Sequence, residues 1–259
     1  MAYVRSILWG LSALGLCLFS EAACSSAPPT PNPTPPPPQY PGDDITGNKP
    51  KQCDTTNPDV CLQSCSKAEC YPVSNIGYAE RKGTTVGNRI PNLRFLAHSN
   101  LDAATKTAST GDLAPVQLSD FYDPTGTKFR IIRIVVAATW CGPCNSEADF
   151  IVANKIAETV APDGAILIQA LSDGPVSGTP ATQLDLENWI TKHALNFSAM
   201  LDGDNKLGAF WLQDAIPENI TVDARSMEIL AKEAGFSQGI LSQMQQWITW
   251  TKNNKPQAL

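Results

Sequence analysis

The sequence predicts an α/β fold: a mixed central sheet flanked by helices, behind an N-terminal extension stapled by disulfides. Two stretches predict the sheet. "FRIIRIVVAA" (129–138) is a β-branched run of the kind that fills a buried central strand. It is followed by Ala148, Ile151, Val152 and Ile156 at helical spacing within 145–160, and then by a second apolar run, "GAILIQALSD" (164–173). Further on, "PENITVDARSMEILAKE" reads as a hairpin turning near Asp223 to Ser226. The last segment puts Ile240, Leu241, Met244, Trp247 and Ile248 on one helical stripe, suited to covering the sheet. Strand–helix–strand followed by hairpin and helix is a layered α/β arrangement.

The chain has 259 residues and a formal net charge of −6. No basic stripe runs along it, so nucleic acid is set aside as a partner, because neutralising phosphates needs clustered Lys and Arg. Residues 1–23 read as a signal peptide: Arg5 supplies the positive start, and the apolar core from Ile7 to Phe19 is shorter than the roughly 20 residues of a membrane span. "SEAACSS" closes it and resembles the lipobox of bacterial lipoproteins, in which Cys24 would become the lipidated residue. Glu21 stands where that pattern usually has Leu, and ordinary cleavage after Ala22 or Ala23 is the alternative. Cysteine arithmetic favours the lipoprotein. Eight cysteines are encoded, Cys17 leaves with the signal, and lipid on Cys24 leaves an even set that can pair.

Residues 24–50 hold Cys24 and a Pro-rich linker, with nine prolines between Pro28 and Pro41. Proline fixes φ and lacks a backbone donor, so this stretch is an extended polyproline spacer. A tether from the lipid anchor is a simpler reading than a ligand for a proline-binding domain. Residues 51–82 form a Cys-rich extension containing Cys53, Cys61, Cys65 and Cys70, with gaps of 7, 3 and 4 residues. Zinc sites use closer pairs and often histidine; in an oxidising compartment two disulfides fit better, in any of three connectivities.

Residues 83–259 form the globular domain. "GNRIPNLRFLA" and "APVQLSDFY" read as short edge strands, with Pro91 and Pro115 near their starts. "TQLDLENWITKHA" is helical, "FSAMLD" a short strand and "NKLGAFWL" a short helix. Asp202, Asp204 and Asn205 read as a helix cap in preference to a calcium loop, whose twelfth position would here be Gln213 and not Glu. His98 and His193 read as surface or packing residues.

"TWCGPC" (139–144) carries the chemistry. A haem tether needs His where Asn145 stands, zinc needs ligands that only His98 and His193 could add, and a peroxidatic cysteine would want Pro and Thr where Ile134 and Ala138 lie. A structural disulfide and a working redox couple remain. A strand end opening a helix puts Cys141 at the helix N-terminus, where free N–H groups and the dipole stabilise a thiolate. Pro143 suits the first turn, where no intrahelical donor is lost.

With Trp140, Cys141, Gly142, Pro143 and Cys144 in that order, the chain resembles the thioredoxin superfamily over about residues 84 to 255. The "ATWCGPC" context, Glu147 and the export signal make it look TlpA-like, a branch of envelope thiol-disulfide oxidoreductases. The resemblance implies a thioredoxin-like sandwich. It also implies Cys141 as nucleophile, Cys144 as the more buried resolving thiol, and Pro217, cis after Ile216, beside the sulfurs. It leaves Glu147 open between a proton shuttle for Cys144 and a solvated carboxylate at the helix start. Three departures stand out: Val135 replaces a buried Asp, Asp149 replaces a helix-kinking Pro, so the helix should run straight, and Ala137 replaces an aromatic residue. The implied activity needs no cofactor beyond the Cys141–Cys144 disulfide. Its partners would be protein thiols and disulfides, plus a membrane electron donor if the protein is a reductase. The location would be the envelope, periplasm-facing, with Ser25 favouring the outer membrane. The rival is a non-catalytic scaffold or adhesion lipoprotein with a structural disulfide.

Overall fold

The computed structural model describes Tyr71 and residues 84–99, 113–212 and 214–255. The signal segment, the linker with Cys24, and the cluster of Cys53, Cys61, Cys65 and Cys70 lie outside the described residues.

Seven strands form one sheet: β1 (Arg94–His98), β2 (Ala114–Gln117), β3 (Ile131–Ala138), β4 (Ala165–Asp173), β5 (Ser198–Leu201), β6 (Glu218–Asp223) and β7 (Glu228–Ala234). Their order is β2-β1-β5-β4-β3-β6-β7. The central β5, β4 and β3 run parallel, and β1, β2, β6 and β7 join antiparallel, so the sheet is mixed. Among the described residues, four helices accompany it: α1 (Gly142–Ala153), α2 (Ile156–Val160), α3 (Gln183–His193) and α4 (Ile240–Asn253). Short 3-10 turns span Leu118–Phe121, Ala161–Asp163 and Lys206–Phe210.

All eight residues of β3 are buried, because both faces of the strand are covered. Ile131, Val135 and Ala137 meet residues from all four helices, including Ala148, Ile156, Trp189 and Met244. Ile132, Ile134 and Val136 meet the second core, built from Phe95, Phe121, Phe129, Leu207 and Phe210. The helices therefore gather on one face. Among the described residues, the other face is closed by short turns and by the chain leading into β1.

Two expectations are corrected here. β1 is not an edge strand: β5 pairs its far side, with Leu96 opposite Leu201 and His98 opposite Ala199. Its alternation of buried Phe95 and Ala97 with exposed Leu96 reports one covered face, which edge and inner strands share. Only β2, with Pro115 inside it, lies on that margin. The helix over 145–160 is also not continuous. It passes straight through Asp149 and ends at Asn154, whose side-chain Nδ2 donates to the Phe150 carbonyl at 2.9 Å. Lys155 then takes a left-handed φ of 50°, and α2 starts anew, which keeps Ile156 buried. No Gly or Pro marks that break.

The β6–β7 hairpin turns where the sequence puts it. Arg225 Nε and its terminal amine grip the Asp223 carboxylate at 2.9 and 2.8 Å. The other terminal amine donates to the carbonyls of Thr251 and Asn254, both at 2.7 Å. One guanidinium thus ties the hairpin to the end of α4, where carbonyls lack intrahelical partners.

Candidate redox site

β3 delivers the chain to its C-terminal end and a tight turn follows, in which the Cys141 amide donates to the Ala138 carbonyl at 3.1 Å. Cys141 is the N-cap of α1, and its Sγ accepts the Cys144 N–H at 3.1 Å. A side chain at this position satisfies one of the free amides of the first turn. Cys141 and Cys144 are joined by a disulfide with Cα atoms 5.2 Å apart. Both are almost fully buried in this oxidised state, whereas Gly142 and Pro143 are exposed. An added Cβ at Gly142 would meet no atom within 4 Å, so the tip of the loop faces open space.

The Ile216–Pro217 peptide is cis, and the Ile216 carbonyl oxygen lies 3.7 Å from Cys141 Sγ. The loop preceding β6 therefore lies against the outer sulfur. Trp140 is 43 % exposed and its indole Nε1 donates to Asp173 Oδ2 at 3.2 Å; the same oxygen accepts Gly178 N–H at 2.8 Å. The loop after β4 is thus fixed to the tryptophan that flanks the pair.

One turn beyond Cys144 in α1, Glu147 is 1 % exposed, so it is a buried carboxyl and not a solvated one. Its Oε1 accepts from Asn219 Nδ2 at 2.9 Å, and Oε2 has no hydrogen-bond partner among the described residues. Asn219 Oδ1 accepts Arg133 Nε at 3.1 Å, and Arg133 pairs with Glu233 at 2.6 Å. Strand register builds this row: Val135, Asn219 and Glu233 lie opposite one another, with Arg133 beside Thr221. Burial pushes the Glu147 carboxyl up to about 7; the Asn219 bond and the Arg133 charge oppose the rise, and Glu233 adds to it.

The neighbour of Pro217, Glu218, is also buried but falls opposite Val136 and so on the other face of the sheet. Its Oε2 accepts the Leu212 N–H at 3.1 Å, and burial raises it to about 7 despite that bond and nearby Lys232. Asp202 caps the turn at Lys206–Phe210, accepting the amides of Lys206 and Leu207 at 2.8 and 3.0 Å. It is a cap, as the sequence reading has it. Among the described residues no group of three or more His, Cys, Asp or Glu could hold a metal. His98 and His193 are both buried.

A strand ending in a C-x-x-C pair at a helix start, and a cis-proline loop leading into a hairpin and a covering helix, together define the architecture. The fold is thioredoxin-like. No protein-family model matches the chain, and no curated protein does. Among solved structures it is similar to the thioredoxin domain of a thiol-disulfide oxidoreductase from Bacteroides vulgatus, at 15% identity and TM-score 0.45, over 63% of this chain and 98% of that one. It is similar to the exposed lipoprotein thioredoxin Etrx1 of Streptococcus pneumoniae, at 18% identity and TM-score 0.42, over 60% and 98%. It is also similar to AhpC of Enterococcus faecalis, at 9% identity and TM-score 0.47, over 69% and 99%.

Arg133, Asn219, Glu218 and Glu233 escape sequence reasoning. Arg133 interrupts an otherwise apolar strand, and a charge there is the one local hint that a buried partner exists.

Proposed function

We propose that the protein is a thiol-disulfide oxidoreductase that works through Cys141 and Cys144 as a reductase of protein disulfides. The observation that carries this is the joint placement of a helix-capping Cys141, a cis-Pro217 loop 3.7 Å from its sulfur and a buried Glu147 one turn beyond Cys144. A purely structural disulfide requires neither the loop nor the buried acid.

In the reduced protein, Cys141 attacks one sulfur of a substrate disulfide as a thiolate. A mixed disulfide forms and the other substrate sulfur leaves as a thiolate. The Cys144 thiol gives its proton to Glu147, attacks Cys141 Sγ and releases the second substrate thiolate. The substrate gains two electrons and, after protonation, two thiols, while the motif becomes the disulfide. A carboxyl held near 7 is matched to that transfer at neutral pH. Pro217 and Ile216 offer backbone to an extended substrate segment beside the sulfur. A membrane electron donor would return the pair to dithiol.

The proposed setting is the bacterial envelope, facing the periplasm. Cys24 would be the lipidated anchor, residues 24–50 the tether and residues 51–82 a cap closed by Cys53, Cys61, Cys65 and Cys70. The outer membrane is the favoured site. No helix among the described residues is long and apolar enough to cross a membrane. The activity test is trapping. Cys144→Ser should accumulate dithiothreitol-sensitive adducts with envelope proteins, and the Cys141→Ser, Cys144→Ser double variant should give none. A pair with no trapped partner and no Cys141-dependent insulin reduction is a staple, and the protein a scaffold. For direction, a potential nearer about −270 than about −120 mV is expected; a value above about −180 mV reverses it.

A further inference from the structure

A second polar cluster lies on the flank of α1, away from Glu147. Asn145, one turn after Cys141, donates from Nδ2 to the Cys141 carbonyl at 2.7 Å and to the Thr139 carbonyl at 3.2 Å. It therefore holds the backbone on both sides of Trp140. Its Oδ1 accepts Lys192 Nζ at 2.6 Å and lies 3.1 Å from His193 Nε2. A lysine ammonium can only donate, which fixes the amide with its oxygen toward α3. His193 Nδ1 lies 2.6 Å from Asp149 Oδ1, and the ring sits 4.4 Å from the Trp189 ring. Both ring nitrogens of His193 thus face side-chain oxygens, one from Asn145 and one from Asp149. The His193 side chain is 1 % exposed, a costly place for a polar ring with no task beyond packing.

We propose that His193 is a positioning residue for the redox loop. Acting through Asn145 and assisted by Lys192, it holds the Thr139 and Cys141 carbonyls and favours the thiolate form of Cys141. The inference rests on the oxidoreductase reading above and adds how its potential is set. Two physical effects point the same way. The Lys192 ammonium polarises the Asn145 amide, so its N–H groups bind the two carbonyls more strongly and offset their negative ends near the sulfur. The positive charge itself favours a thiolate at the start of α1, as cations near such a site do. A stabilised thiolate stabilises the reduced pair and makes it more oxidising. Asp149 faces the ring from α1 and fixes its orientation.

The test measures the equilibrium of the Cys141–Cys144 pair against glutathione, the ultraviolet titration of the Cys141 thiolate in reduced protein, and thermal stability in both redox states. His193→Phe keeps a ring against Trp189 and loses both hydrogen bonds. It should shift the equilibrium toward the disulfide by about tenfold, some 30 mV more reducing, with the thiolate titration moved to higher pH. His193→Gln, which can restore the bond to Asn145, should recover part of that shift. Lys192→Met, on the exposed side, should shift it about threefold in the same direction with unchanged melting, and it decides alone if His193→Phe does not fold. Equilibria and titrations within twofold of wild type in the folded variants overturn the inference. A wild-type pair that does not exchange with glutathione at all overturns the redox reading and this inference with it.

Discussion

Glu147 and Glu218 are two buried carboxyls on either side of the same sheet, and they look alike by every local measure. Each has one oxygen bonded and the other without a hydrogen-bond partner among the described residues, and each is raised to about 7 by burial. They differ in what they face. Glu147 projects from α1 on the helical face, one turn beyond Cys144 and against Asn219. Glu218 follows the cis peptide but points to the opposite face, toward the Leu212 amide and the Lys232 charge. Equal perturbation on opposite faces of the sheet teaches that a shifted carboxyl identifies a buried environment. A chemical role requires a reacting group beside it as well.

The largest expected effect separates the two by rate. Glu147→Gln should slow the resolving step, read as release of a mixed disulfide in stopped flow, by about 10²-fold near pH 7. Glu218→Gln should change it by less than about threefold. Equal slowing in both variants would erase the distinction.

Stability is expected to unite what kinetics divides. A carboxyl raised on folding binds its proton more tightly in the native state. Its contribution is complete below the unfolded value near 4.5 and is lost as pH rises toward 7. Glu147, Glu218 and Asp202 all act in this sense. Denaturant unfolding should therefore show lower stability at pH 7.5 than at pH 5.5. Each Glu→Gln change should recover about 1–2 kcal/mol at the higher pH, less than the full conversion at about 1.4 kcal/mol per pKa unit. Stability that rises over this interval would contradict the assignment. Asp123, whose carboxyl is lowered by bonds from Thr125 and the amides of Lys128 and Phe129, works in the opposite sense at more acid pH.

The smallest effect sharpens the comparison. The Asn219 bond holds the Glu147 carboxyl down, so Asn219→Ala should move the pH–rate profile of resolution to higher pH by about half a unit. A shift to lower pH would show that the bond favours the neutral acid. Glu218 should be insensitive to the same change, since Asn219 points to the other face.

What was legible in the sequence followed from local rules. β3 is written in its β-branched run, α4 in its stripe of Ile240, Met244 and Ile248, and the hairpin in its turn at Asp223. The environment of Glu147 was not legible, because it depends on Asn219, 72 residues away, and through it on Arg133, 86 residues from Asn219. Strand register brings these together, and register is a property of the assembled sheet. The helix break at Lys155 was hidden for another reason: a left-handed lysine carries no compositional mark. His193 reads as packing by its neighbours in sequence, and only α3 lying beside α1 gives it Asp149 and Asn145.

The margins of the sheet bear on how molecules of this protein behave when they are crowded together. At one margin β2 is four residues long and carries Pro115, which offers no N–H to an incoming strand. At the other, the first half of β7 is already occupied: the chain at 87–90 exchanges backbone hydrogen bonds with Met227 and Ile229. The remaining half presents Lys232 and Glu233, the kind of charged side chains that discourage strand addition. Many copies held together at high local density would thus resist zipping into shared sheets, and each redox pair would stay on a separate molecule.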